Sequence, residues 1–130
     1  MDKISAITGR EYHLFDYYGA PDADRIVIAI GSVTDICKDV TDALNAHGEK
    51  VGVLNVHLFR PFSVKHFLSQ IPDTVKKIAV LDRTREPGAI GEPLYLDVVS
   101  AIASSGHQGM RRTLRPWFQG RCSGRHHGCL

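Results

Sequence analysis

An α/β fold built on a mainly parallel sheet is expected from this sequence, for two reasons. Short apolar runs rich in β-branched residues alternate with segments of helical periodicity, and Gly, Pro or Ser residues mark each change. The runs are also continuous rather than alternating polar and apolar, as in strands covered on both faces. Strands joined in this order by helices form crossovers that place helices on both faces of the sheet, giving three layers.

Residues 1–24 read as an opening segment. Tyr12, Phe15, Tyr17 and Tyr18 cluster there, and Gly19-Ala20-Pro21-Asp22 breaks regular structure. Such aromatics are expected to pack against the outside of the domain or a neighbour. Arg25 to Ile30 (RIVIAI) is the first buried strand, ended by Gly31-Ser32. Ser32 or Thr34 is placed to cap the next helix, whose apolar positions Ile36, Val40, Ala43 and Leu44 follow helical spacing. Gly48 stops that helix.

Val51 to Leu58 (VGVLNVHL) is the second strand, ended by Pro61. Ser63 opens a short helix carrying Val64, Phe67 and Leu68, which Pro72-Asp73 breaks. Lys77 to Leu81 (KIAVL) is the third strand. A turn-rich loop from Asp82 to Pro93 leads to a helix over Leu94 to Ala103. Residues 1–105 therefore form the domain. Residues 106–130 form an irregular basic tail with Arg111, Arg112, Arg115, Arg121 and Arg125 and no acidic residue.

Composition bounds the function classes. A chain of 130 residues is about one domain and can bury a core. The net charge of +2 gives no reason to expect nucleic acid as a partner. There is no apolar run of about 18 residues to span a membrane, and Met1 to Arg10 holds no signal-type apolar stretch. A cytoplasmic protein is expected. Three cysteines, Cys37, Cys122 and Cys129, build no disulfide framework.

In parallel sheets, ligands and partners meet the carboxyl ends of the strands. Gly31 and Ser32 at the first strand-to-helix turn are anion-binding candidates, although no G-x-G-x-x-G or P-loop pattern accompanies them. An empty capped turn is the plainer reading. Arg60, just beyond the second strand, is suited to bridge to a neighbouring loop or subunit by paired hydrogen bonds. Asp82, Arg83 and Glu86 read as a salt-bridged loop rather than an acid/base pair, because acid/base work needs a pocket and shifted pKa values. Glu92 begins the last helix, where a carboxylate is electrostatically favoured. Arg60, Asp82, Arg83, Glu86 and Glu92 are the interface candidates, and no catalytic residue is assigned.

Cys122, His126, His127 and Cys129 could hold zinc, but C-x3-H-H-x-C matches no standard finger and no metal site is assigned. No cysteine-rich ferredoxin run is present. The residues alone also admit a second class, a small nucleotide- or phosphate-binding α/β module using Gly31, Ser32 and the basic loop.

The stretches ITGREYHLFDYYGAPDADRIVIAIGS, GEKVGVLNVHLFRPFS and IPDTVKKIAVLDRTREPGAIGEPLYLDVVSA strongly resemble pyruvate:ferredoxin (flavodoxin) oxidoreductases over about Ile4 to Ala101. They are similar to the domain that follows the pyrimidine-binding domain. The resemblance implies a fold like the transketolase C-terminal domain, here truncated, with a structural and interface role. It implies that the whole enzyme converts pyruvate and coenzyme A to acetyl-CoA and CO2, using thiamine diphosphate, Mg and 4Fe–4S clusters held in other domains. The resemblance further implies that electrons pass to ferredoxin or flavodoxin, and it makes coenzyme A the ligand of the alternative reading, a small phosphate- or CoA-binding α/β module. The partners implied for this piece are the other domains of that enzyme and its homodimer mate, and no cofactor is expected on the piece itself. After residue 105 the resemblance stops, and the Arg, Gly, Cys and His bias there suggests GC-rich coding DNA read out of frame. A sheet ending at three strands would leave an unpaired edge open to self-association.

Overall fold

The computed structural model of the chain describes residues 2–82, 84, 87–105 and 114–118. The elements in order are α1 (Asp2–Thr8), β1 (Phe15–Gly19), β2 (Arg25–Ile30), α2 (Val33–Ala46) and β3 (Val51–Val56), then α3 (Val64–Ser69), β4 (Lys77–Asp82), α4 (Pro93–Ser104) and β5 (Leu114–Phe118). The sheet order is β1-β3-β2-β4-β5. β2 pairs in parallel with β3 and β4, and β4 with β5, while β1 lies antiparallel on the outer edge of β3. The mainly parallel α/β architecture is as expected.

Two strands are corrections. β1 arises within the aromatic opening segment, where Phe15 turns inward to 1% exposure and Tyr17 packs against the core. Alternation of Phe15 and Tyr17 with Asp16 and Tyr18 carries it. β5 arises within residues 106–130, read from sequence as irregular. Its run LRPWF contains Pro116, which costs a ladder donor and is tolerated on an edge strand, the position β5 occupies. β4 is therefore paired on both sides, and the expected three-strand edge does not arise.

The larger core lies on one face of the sheet. Ile26 and Ile28 of β2, Leu54 and Val56 of β3, and Ile78 and Val80 of β4 share it with Phe67 of α3 and Leu94, Val98, Ala101 and Ile102 of α4. Phe15, Phe62 and Phe67 meet edge-on or tilted at centroid distances of 5.2–5.5 Å.

α2 covers the other face, and here the expected orientation is reversed. Ile36, Val40, Ala43 and Leu44 face outward. The buried positions are Val33, Thr34 and Thr41. The reason is local. The Asn45 side chain accepts the Val51 backbone N–H at 3.0 Å and donates to the Val51 carbonyl at 3.1 Å, which locks the polar side of the helix onto the start of β3. Thr41 then packs where β1 and β3 approach through the registered pair Gly19 and Gly52.

Candidate functional site

The carboxyl ends of β2, β3 and β4 carry the sequence-predicted residues. Gly31 turns the chain at φ +81°, and its carbonyl accepts the Thr34 backbone N–H at 3.1 Å and the Thr34 hydroxyl at 2.7 Å. Ser32 occupies the N-cap position of α2, but its backbone is helical and its hydroxyl makes no cap bond. A capping hydroxyl needs the extended backbone that aims it at the following N–H groups. Ser63, at the head of α3, has that extended backbone yet makes no cap bond, and its hydroxyl instead lies 2.7 Å from His66 Nδ1.

Arg60 follows β3, joined to Pro61 by a cis peptide. Its guanidinium stacks 4.4 Å over the Phe59 ring, and Nη1 lies 2.6 Å from Asp97 Oδ2 on α4. That oxygen is buried, and among the described residues no N–H points at it well enough to form a hydrogen bond. The contact is therefore an ion pair and not the paired hydrogen bonds expected, and the neighbour it bridges to is α4 of the same chain. Asp97 was not singled out from sequence, because only the packing of α4 against the β3–α3 loop brings it to Arg60.

Asp82, at 4% exposure, is turned inward and not toward a surface. Oδ1 accepts the Thr84 backbone N–H at 3.0 Å and Oδ2 accepts the Leu94 backbone N–H at 2.9 Å. The carboxylate thus sits under the N-terminus of α4, where the helix dipole favours negative charge. Glu92 is the N-cap of that helix, as expected, with an extended backbone followed by Pro93. Arg83 and Glu86 lie outside the described residues, as do Cys122, His126, His127 and Cys129.

A further polar group went unread. His57 Nε2 lies 2.7 Å from Asp16 Oδ2 and 3.2 Å from Asn55 Nδ2. Asp16 and Asn55 are registered partners across β1 and β3. Only recognition of β1 as a strand would have brought Asp16 to His57, 41 positions away in the chain.

An open cleft of about 640 Å³ lies at the opposite end of the parallel strands, between the end of β1 and the start of β3. Its charged side chains have partners, that of Glu49 being Arg25 beyond the lining. Lys50 Nζ donates to Asp22 at 2.5 Å, which holds the Asp22 carboxyl below its usual range and raises the Lys50 ammonium. Tyr18 donates to both Asp42 oxygens at 3.0 and 2.9 Å, and that bond raises the phenol. Burial, then the charge of Asp22, raises Tyr17. Burial also pushes the Cys37 thiol up, away from the reactive thiolate. Among the described residues, no three His, Cys, Asp or Glu side chains converge as metal ligands, and no helix is long and apolar enough to cross a membrane.

These elements define the chain as a mainly parallel α/β domain, a five-stranded sheet flanked by helices. The chain belongs to the pyruvate:ferredoxin oxidoreductase core domain II family, which matches residues 23–121. It is 67% identical over 105 residues to a pyruvate-flavodoxin oxidoreductase of Enterobacter agglomerans, covering 81% of this chain and 9% of that protein. It is 53% identical over 121 residues to a probable pyruvate-flavodoxin oxidoreductase of Escherichia coli, covering 93% of this chain and 10% of that one. The chain thus spans about a tenth of the length of these curated relatives. A solved 2-oxoglutarate:ferredoxin oxidoreductase from Magnetococcus marinus shares the fold at TM-score 0.51 and 17% identity, covering 89% of this chain and 18% of that one. The family match passes residue 105, in keeping with β5.

Proposed function

We propose that the chain is a structural and interface domain of a thiamine-diphosphate-dependent pyruvate:ferredoxin (flavodoxin) oxidoreductase and does not turn over substrate alone. One observation carries the reading: a family match over residues 23–121 in a chain that spans about a tenth of its relatives. The site geometry supports it. Both Asp82 oxygens bond backbone N–H groups, and Arg60 is held by Asp97.

In this reading, thiamine diphosphate, Mg and the 4Fe–4S clusters sit in other parts of the parent polypeptide. The whole enzyme oxidatively decarboxylates pyruvate with coenzyme A and passes electrons to ferredoxin or flavodoxin in the cytoplasm, as a homodimer. Of the described interface candidates Arg60, Asp82 and Glu92, Asp82 is turned inward, which leaves Arg60 and Glu92 for the interface. The test is turnover of pyruvate and coenzyme A with a low-potential dye acceptor. The chain alone is expected to give none, and the parent polypeptide to lose activity when this segment is excised. Turnover by the chain alone overturns the reading.

A further inference from the structure

α2 turns its larger apolar side chains away from the sheet. Ile36 is 63% exposed, Val40 50% and Leu44 40%, while Thr34 and Thr41 are buried beneath the helix. Scattered exposed hydrophobics are ordinary, but these three recur at i, i+4 and i+8 and form one stripe. A helix that sets Val33, Thr34 and Thr41 toward its own sheet and turns its larger apolar side chains outward is one that a second body covers.

The sheet beneath supports this. Val27 and Ala29 point to the face opposite Ile26 and Ile28, hence to the α2 side. Their registered neighbours Ala79 and Leu81 share that face. Ala29 is buried, but Val27, Ala79 and Leu81 are only half-buried. α2 packs on β1, β2 and β3, whereas α4, the helix against β4, lies on the other face. Among the described residues, the α2 side is therefore one helix short over β4.

We propose that the α2 stripe with the half-covered β2–β4 strip is the docking surface for an apolar, helix-sized element from the part of the parent polypeptide outside these residues. The proposal rests on the domain reading above. The relatives supply the occupant's source, since about nine-tenths of their length lies outside the match. The chain's own residues 106–113 (GHQGMRRT) and 119–130 (QGRCSGRHHGCL) carry too little apolar surface to cover the stripe. The rim gives the partner's charge. Asp35, Asp39 and Asp42 run along the flank of the stripe on one helical edge and keep it acidic, although Lys38 lies 3.9 Å from Asp35 and Asp42 accepts the Tyr18 hydroxyl. The docked element presents an apolar centre with Lys or Arg on the side that meets these aspartates.

The experiment is hydroxyl-radical footprinting of the 130-residue chain alone. The same residues are then footprinted within the full-length Enterobacter agglomerans relative, with this chain placed in its matched segment. Labelling of Ile36, Val40 and Leu44 is expected to fall about tenfold in the full-length protein, as for side chains entering a packed interface core. Alongside it, the Ile36→Lys/Val40→Lys variant is expected to keep the Tm of the isolated chain, because both sites are exposed there. In the full-length protein it is expected to cut dye-reducing activity at least about tenfold by loosening the assembly. If the three side chains stay labelled while Ile4 or Ile7 becomes protected, this surface is wrong and the domain reading stands. If no side chain of the segment becomes protected, both fall. A wild-type chain that is dimeric alone, and monomeric as the double variant, with the full-length protein unaffected, makes the face a contact between copies and overturns the proposal.

Discussion

Asp82 and Leu94 are joined across the β4–α4 connection by a 2.9 Å bond from the Leu94 backbone N–H to the Asp82 carboxylate. A strand-end carboxylate thus caps a helix that begins a full loop later. The other oxygen fixes Thr84, so one buried side chain sets both ends of the connection. Replacing Asp82 with Ala leaves a buried N–H of α4 unpaired and should cost about 1–3 kcal/mol, whereas Asn keeps one acceptor and should cost less. Urea unfolding of D82A and D82N checks the order. Equal stability of the two would deny the carboxylate its role.

This role was half visible in the sequence. Asp82 stood out as a polar residue at a strand end, but the loop's charge density pointed to salt bridges, and no local pattern shows which N–H a carboxylate twelve residues upstream will meet. The three central strands were legible because a strand buried on both faces must be continuously apolar. β1 was not, because Tyr17 and Tyr18 look alike in sequence although only Tyr17 packs against the core. The α2 stripe was legible as a helix and misleading as to its face, since periodicity records that an apolar side is covered and not by what. His57 and Asp16 could not be paired without the β1–β3 register.

Gly19 and Gly52 face each other across β1 and β3. A Cβ on Gly19 would lie 2.6 Å from the Gly52 Cα, a backbone atom that cannot yield, and Gly19 also holds φ +129°. A Cβ on Gly52 would meet the Tyr17 ring, at 2.7 Å from Cε2. G19A should therefore be the more damaging, by more than about 1 kcal/mol, with G52A milder because a side chain can swing away. Thermal unfolding of both variants ranks them. A Gly52→Ala more damaging than Gly19→Ala contradicts the packing.

The Tyr17 phenol is raised by burial and by Asp22, and its hydroxyl donates to the Ala20 carbonyl at 2.5 Å. Its folded value exceeds its unfolded one, so the folded chain holds the proton longer. Its contribution is fully present below the unfolded value, about pH 10, and is lost as pH rises through the folded value. Lys50, raised by Asp22, acts in the same direction. Asp22 is lowered, so its share is present above its unfolded value and lost as pH falls through the folded one. Stability should decline above about pH 10, and Y17F should flatten that decline while losing about 0.5–1.5 kcal/mol at neutral pH with the Ala20 bond. Urea midpoints across pH 7–11.5, about one unit either side of the tyrosine range, decide it. An unchanged alkaline slope in Y17F would assign the decline elsewhere.

Arg60 and Asp97 couple the β3–α3 loop to α4 through charge, because Asp97 Oδ2 is buried and its only close cation is offset from hydrogen-bond alignment among the described contacts. Removing the arginine strands that oxygen, whereas removing both partners does not. The arginine side chain is 59% exposed, so solvent weakens the pair, and R60A should cost only about 1 kcal/mol. D97N should cost less than R60A, since a neutral amide tolerates burial better than an unpaired carboxylate. The double variant should be no worse than R60A alone, giving a coupling at least as large as the cost of D97N by double-mutant cycle. Simple additivity would mean that the guanidinium is held by the Phe59 ring alone, leaving Arg60 free to turn toward a neighbouring domain.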